Sequence, residues 1–428
     1  ILIVDMKKII LALLTASIII SSCDILDKYP HDAVSRDSVS EEDLELLFTG
    51  LYCYSQYKPG FEGYFQNDMT GGDFFRGGGS VWPDAPSWIK DFFLPTNGWI
   101  QVPYTGYYAL LYQINSFIEV AEKAARTDKV RQMLGVAYYF RALDYYNIVT
   151  KYRIAPLMRV TSNDPQPNST EEALWAFVNE DLEKALAMCP EYSTKYYVSL
   201  QAAKALAARA YIAQGKKAEA AKLADDLIAD PLFALDDFSK IFRGEANSEV
   251  IFTFANLPEE SGIKFAGEFL QPATIYVPVP EVIALFTDND KRKSISITVD
   301  GSETVLNKYI NKSSSDPIII SRLAEMYLIS AEGKGLAGGG LARLNELRRA
   351  RGLQDLSPAP KNEEEFIDAI LAERRLEFLG EGFRWYDLVR TGRYMKKTGL
   401  PEKYTVFPIP QKQLDLNTVN LHQNELWK

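Results

Sequence analysis

The residues of this chain that come closest to a catalytic constellation lie in one short stretch near its end. Residues 370–392 read Ile-Leu-Ala-Glu-Arg-Arg-Leu-Glu-Phe-Leu-Gly-Glu-Gly-Phe-Arg-Trp-Tyr-Asp-Leu-Val-Arg-Thr-Gly. On a helix Glu377, Glu381 and Arg384 fall at i, i+4 and i+7, and Asp387 and Arg390 extend the charged ladder. Two carboxylates so spaced suggest the acid pair of a glycosidase, one of which must stay protonated near neutral pH. The arginines argue the other way, because a neighbouring guanidinium stabilises the ionised carboxylate. The stretch therefore reads as an ion-pair lattice that locks helix to helix. Asp68 and Asp73 offer a second, weaker route to a hydrolase, through acid chemistry in loops. The remaining routes close on residue type. Only His31 and His422 are present, near opposite ends, whereas a Ser-His-Asp triad, an HExxH zinc site or a His-rich cluster needs imidazole within the folded body. Gly77-Gly78-Gly79 and Gly338-Gly339-Gly340 lack the lysine or the strand-to-helix setting of a phosphate loop, and no EF-hand spacing occurs. No catalytic residue, metal or cofactor is expected.

Binding has better candidates. Tyr64, Trp82, Trp88, Trp99 and Tyr104 are interleaved with Asn67, Asp68, Asp73, Arg76, Asp84 and Asn97, and three of the chain's six tryptophans fall in this stretch. An exposed ring offers a flat apolar face to the C–H side of a pyranose, and short polar side chains take the hydroxyls. Covering half of a ring's ~150–250 Å² at about 25 cal/mol/Å² contributes ~2–3 kcal/mol per platform. Two or three platforms, less the cost of ordering a flexible glycan, give micromolar to millimolar binding. The expected ligand-binding residues are Trp82, Trp88, Trp99, Tyr64, Asp73 and Asn97, with Tyr276 from a later irregular segment. The bland alternative is that these rings pin an irregular loop to the scaffold. Trp175, Trp385 and Trp427, on helices or the tail, read as core, and Phe92-Phe93 fits either class.

Stepping from these residues to what must hold them, the dominant pattern is helical and paired. Tyr107–Ala125 pairs with Lys129–Val149, and Glu171–Met188 with Ser199–Gln214, followed by Lys217–Ala229 up to Pro231. Ser321–Ala331 and Leu341–Arg351 form a third pair, and helical signal returns after Glu363 through Arg393. Ala and Gly at close approaches, with Tyr or Leu beside them, resemble degenerate tetratricopeptide repeats. Residues 55–104 show no sustained period, and 231–317 mixes turns with short apolar runs such as Val250–Phe254 and Thr274–Val279, which predict strands. The expected fold is mainly all-α, with helix pairs over about 105–230 and 318–398 as scaffold. Long insertions at about 55–104 and 231–317 form its ligand-facing loops.

The amino end speaks to location. Lys7-Lys8 precede a greasy run from Ile9 to Ile20, too short to span ~30 Å of hydrocarbon, and Ile20-Ser21-Ser22-Cys23 follows. That order is similar to a bacterial lipoprotein box, so residues 1–22 read as a signal peptide starting at Met6, with Cys23 lipidated and 23–428 as one domain anchored to a membrane surface. Losing Lys7, Lys8 and Asp5, two cations and one anion, moves the net charge from −10 to −11. An acidic surface without a basic stripe makes nucleic acid an unexpected partner. Cys53 and Cys189 alone do not make a disulfide scaffold; a single bridge between them is open, and two buried free thiols are expected.

The ladder at 370–392 closely resembles the carboxyl-terminal signature ER…E…EG.R..DL.R.G of the SusD/RagB family of surface lipoproteins. Glu373, Arg374, Glu377, Glu381, Gly382, Arg384, Asp387, Leu388, Arg390 and Gly392 match it position by position. Further matches run along the mature chain: Cys23 with Leu26 and Pro30, Gly50-Leu51-Tyr52, Tyr108 with Tyr112-Gln113-Ile114-Asn115, and Phe140-Arg141-Ala142 with Pro156-Leu157. Asp290-Lys291-Arg292, Arg322 to Leu328, Asn345-Glu346-Leu347-Arg348 and the tail Pro408-Ile409-Pro410 with Asn417, Gln423 and Asn424 complete the order. Departures are Tyr104 where a Trp is common, Gln413 for a frequent Glu, and the compact loop Gly335–Gly340. The resemblance implies a non-catalytic outer-membrane lipoprotein that captures oligosaccharide and hands it to a SusC-like TonB-dependent transporter, across an interface above ~2,000 Å². Its binding aromatics would come from the 64–104 region and from the insertion at 260–300. The alternatives are a RagB-like peptide binder, a loop-based glycoside hydrolase, or a pure protein scaffold.

Overall fold

Capped, apolar-faced helices make up most of the chain. The computed structural model describes residues 39–76, 85–124, 126–257, 259, 263–313 and 315–428. Cys23, His31, Trp82 and Asp84 lie outside them. Asn97 starts the helix Gly98–Ala121, its side chain accepting from the Trp99 amide, and Thr127 starts Asp128–Tyr152 by accepting from the Val130 amide. Thr170 and Ser199 cap Glu171–Met188 and Leu200–Ala213 in the same way. Small residues set how closely these helices pack. A Cβ on Gly135 would stand 2.5 Å from the Cys189 nitrogen, so only glycine lets Asp128–Tyr152 cross the end of Glu171–Met188 there. Leu200–Ala213 buries Ala202, Ala203, Ala205, Ala207, Ala208 and Ala210, and Lys217–Ile228 packs in turn on Leu323–Lys334. Leu323–Lys334, Gly340–Ala350 and Glu363–Glu377 share an apolar cluster around Leu328, Leu344, Leu347, Phe366 and Ile370. The chain divides into a segment up to Leu46 and a unit from Leu47 to Lys428 that holds the site described below.

Strand is confined to small antiparallel pairs among the described residues. Val250–Phe254 pairs with Ile318–Arg322, Ile297–Asp300 with Glu303–Leu306, and Ala155–Pro156 with Asn168–Ser169. Phe74–Arg76 pairs with Tyr276–Pro278, setting Phe74 opposite Pro278 and Arg76 opposite Tyr276. The expected mainly helical fold of paired helices is what the molecule has, and the strand expected at Val250–Phe254 forms over those residues.

Two expectations are corrected. The stretch 55–104 is largely helical: Glu41–Tyr57, Phe61–Thr70, Ala85–Phe92 and the start of Gly98–Ala121 occupy it. Pro59-Gly60, Gly71-Gly72 and Pro95 cut it into pieces too short to show a sustained period, although Phe65 and Met69 at i and i+4 do face inward. The ladder at 377–390 is not one helix. The helix ends at Glu377, Gly380 and Gly382 turn the chain at φ 80° and 81°, and a new helix runs Arg384–Arg390. A Cβ at Gly382 would lie 2.2 Å from the Tyr64 carbonyl oxygen, so this turn admits no side chain.

Candidate ligand-binding site

The ladder's charges meet, although not along one helix. The Glu377 carboxylate receives Arg322 at 2.5 Å, Arg351 at 2.8 Å and Arg292 at 2.9 Å, all buried. Arg322 also reaches Glu381 at 2.9 Å, and Lys308 reaches it at 2.6 Å. Arg374 and Arg390 hold Asp387 at 2.6 and 2.9 Å. Burial pushes the Glu377 carboxyl up, but Arg351, Arg322 and Arg292 outweigh it and hold it well below the usual carboxylate range. Glu381 is lowered likewise, burial being outweighed by Arg322 and Lys308. Carboxylates held ionised this firmly cannot serve as a general acid, and the lattice reading stands.

The second acid pair is sealed. Asp73 is buried, 2.7 Å from Arg375 and 3.5 Å from Arg384. Asp68 accepts from the Gly382 amide at 2.7 Å, and burial, then Asp73, push its carboxyl up to about 8. The void beside them measures 10 Å³, room for about one water and no sugar. Asp73, expected at a ligand, therefore sits inside the scaffold as an ion-pair partner.

The aromatic candidates separate by burial. Trp99 is half-buried, at the first turn of Gly98–Ala121. Its ring stands edge-on to Phe92 at 5.0 Å and 85°, and to Tyr276 at 5.5 Å and 87°. Phe61 completes the patch, 6.0 Å from Trp99 and stacked on Tyr276 at 6.3 Å. The support is polar and internal. Asn97 caps the helix and donates to the Asp91 carbonyl at 3.0 Å. The Trp99 carbonyl accepts from Gln66 at 3.0 Å, whose own oxygen accepts from buried Lys151 at 2.8 Å. The Tyr276 hydroxyl is pushed up to about 12 by burial and then by Glu268, and exposed Arg76 lies across the strand pair from it. A half-buried indole, a tyrosine, an exposed cation and the Glu268 carboxyl can pack against a sugar and hydrogen-bond its hydroxyls.

Other expected residues lie elsewhere. Trp88 is 2% exposed and packs edge-on against Phe92, which makes it a pin of the Ala85–Phe92 helix and not a platform. Tyr64 donates to the Gln56 carbonyl at 2.9 Å, and its ring meets Phe265 at 6.2 Å. Tyr276, 9% exposed, forms the wall behind Trp99 more than an open face. Phe93 and Trp385 are core, whereas Trp175 and Trp427 are half-buried. Cys189 is half-buried, and burial pushes its thiol up to about 12; Cys53 lies exposed, where burial was expected. Phe61, Glu62 and Glu268 escaped the sequence reading. Nothing in composition couples Phe61 to Tyr276, which only the Phe74–Arg76 strand pairing brings alongside.

Comparison with known proteins agrees with this architecture. Residues 293–405 match the SusD family, and residues 24–212 match a family described as starch-binding and associating with the outer membrane. The chain belongs to the SusD/RagB family. It is 24% identical to SusD-like protein P38 of Formosa agariphila, over 95% of this chain and 96% of that protein. Its fold is similar to a SusD superfamily protein of Bacteroides thetaiotaomicron, at TM-score 0.78 and 20% identity over 90% of this chain and 100% of the other. It is similar also to a laminarin-binding SusD-like protein, at TM-score 0.74 and 21% identity over 91% of this chain and 100% of the other.

Proposed function

We propose that this protein captures oligosaccharides non-catalytically on the Trp99–Tyr276 patch at the cell surface and passes them to a TonB-dependent outer-membrane transporter. The observation that carries the capture is the half-buried Trp99 indole, its backbone fixed by the Asn97 cap and Gln66 and its ring packed against Phe92, Tyr276 and Phe61, beside exposed Arg76. A ring fixed this way loses little freedom when a sugar stacks on it, so more of the contact appears as affinity. The family descriptions support sugar as the ligand class, since a starch-binding family matches this chain and a laminarin-binding protein shares its fold. The carboxylates at 377 and 381, held ionised by arginines, and the sealed pair Asp68 and Asp73, beside a void with no room for a sugar, support capture without hydrolysis. Outer-membrane location is supported by the same family description, and the anchor is Cys23 by its resemblance to a lipoprotein box. Affinity electrophoresis of residues 24–428 against laminarin, starch and other polysaccharides tests the capture. Purification from native membranes in mild detergent tests the transporter, which should copurify; its repeated absence would count against that partner.

A further inference from the structure

We propose that the site continues past Trp99 into a second subsite, a cleft on the same face of the Gly98–Ala121 helix that takes further neutral sugar units of the bound chain. This rests on the glycan-capture reading above. Trp99, Val102, Thr105, Gly106 and Ala109 recur at threes and fours, so they share one helix face. From Val102 to Ala109 that face lines a cleft of 380 Å³, whose other side is Tyr57, Lys58, Phe61 and Glu62. The volume lies in the ~300–1,000 Å³ range of ligand pockets. Phe61 belongs to both places, since it meets Trp99 and Tyr276 and also lines the cleft. The floor is set by Gly106, where a Cβ would stand 2.8 Å from the Pro59 Cα. Apolar surface remains for a ligand to cover, with Tyr57 46% and Val102 43% exposed.

The charges of the cleft select the ligand class. It carries one cation, Lys58, whose ammonium sits 4.9 Å over the Tyr57 ring, and one anion, Glu62. Glu62 lies toward the patch: burial raises the Glu268 carboxyl, and Glu62 adds to it. Glu62 and Glu268 offset Lys58 in the cleft and Arg76 on the patch, so no excess of positive charge draws uronates or sulfates, while the carboxylates accept hydrogen bonds from neutral hydroxyls.

Calorimetry with laminari- and malto-oligosaccharides of two to six units, and with oligogalacturonate, tests this on the wild type and three variants. Wild-type affinity should rise about tenfold from the shortest to the longest neutral oligomer. Thr105→Trp should abolish that gain and leave two-unit binding unchanged, because Thr105 is exposed and its hydroxyl bonds only to its own helix. Tyr57→Ala, at the rim, should lose part of the gain. Flat length dependence in the wild type, or a gain kept in both cleft variants, would overturn the cleft and leave the Trp99 patch standing. Oligogalacturonate bound as tightly as neutral oligomers would overturn the neutral-sugar assignment. Binding that survives Trp99→Ala would overturn the patch itself, and no binding by any oligomer would overturn both.

Discussion

Trp88 and Trp99 look alike in the sequence, eleven residues apart among the same polar neighbours, and the fold gives them opposite work. Trp88 points inward from Ala85–Phe92, so Trp88→Ala should cost about 3–5 kcal/mol of stability by leaving a cavity, read as a lower denaturation midpoint. Trp99→Ala removes a ring that is only half-buried and should weaken glycan binding tenfold or more, with a smaller change in that midpoint. Asn97 and Asp73 teach the same lesson. Both were legible as polar residues beside aromatics, but one is used as a helix cap and the other as a partner of Arg375, roles decided by residues that only folding brings near. Lys151 shows what burial alone does. Burial lowers its ammonium from the ordinary 10.5 to about 7, against the pull of Asp144. Between those pH values the unfolded chain holds a proton on Lys151 that the folded chain has released, so Lys151 adds stability as pH rises. Asp68, raised to about 8, opposes it below pH 8, and buried tyrosines, raised above 10, oppose it near pH 10, so stability should rise between about pH 8 and 9. Urea midpoints across that range should show the rise, and Lys151→Met should flatten it; Lys308, lowered by burial to about 8, keeps a residual slope in the same direction.

At the scale of elements, helix type and register were legible wherever an apolar period ran long enough. Glu171–Met188 was expected and found with those bounds, and Lys217–Ile228 ends one residue short of expectation. The short helices between 57 and 98 were not legible, because two to three turns between Gly and Pro breaks carry too few apolar positions to declare a period. The ladder at 377–390 was legible as an ion-pair lattice but not as a turn between two helices. Its glycines bend the chain so that Glu377 and Glu381 converge on Arg322 from either end of that turn. Glu377→Ala should therefore be severe. It takes one buried partner from each of Arg292, Arg322 and Arg351, leaving three guanidinium groups to share Asp290, Glu373, Glu249 and Glu381, at a cost of about 3–5 kcal/mol. Gly382→Ala acts on the same turn through the backbone, forcing a Cβ against the Tyr64 carbonyl at positive φ, and should lower the melting temperature without touching any charge. Equal midpoints for wild type and either variant would mean that the turn is not what fixes the lattice.

For the whole molecule, family and fold were the most legible features, because many short motifs in the right order constrain a chain more than any one of them. Composition closed off catalytic histidine chemistry, and the buried lattice now accounts for the acidic residues that composition left open. The ligand face was the least legible, since Phe61, Trp99 and Tyr276 come from three separate parts of the chain and meet only through tertiary pairing. A glycan should bind on that meeting point. Affinity electrophoresis of residues 24–428 in gels containing laminarin, starch or other polysaccharides tests it most directly, with wild type beside Trp99→Ala and Trp88→Ala. At least one polysaccharide should retard the wild type, Trp99→Ala should run as if the gel were empty while keeping its melting temperature, and Trp88→Ala, where folded, should still be retarded. Retardation untouched by Trp99→Ala, or a wild type that no polysaccharide slows, would contradict it.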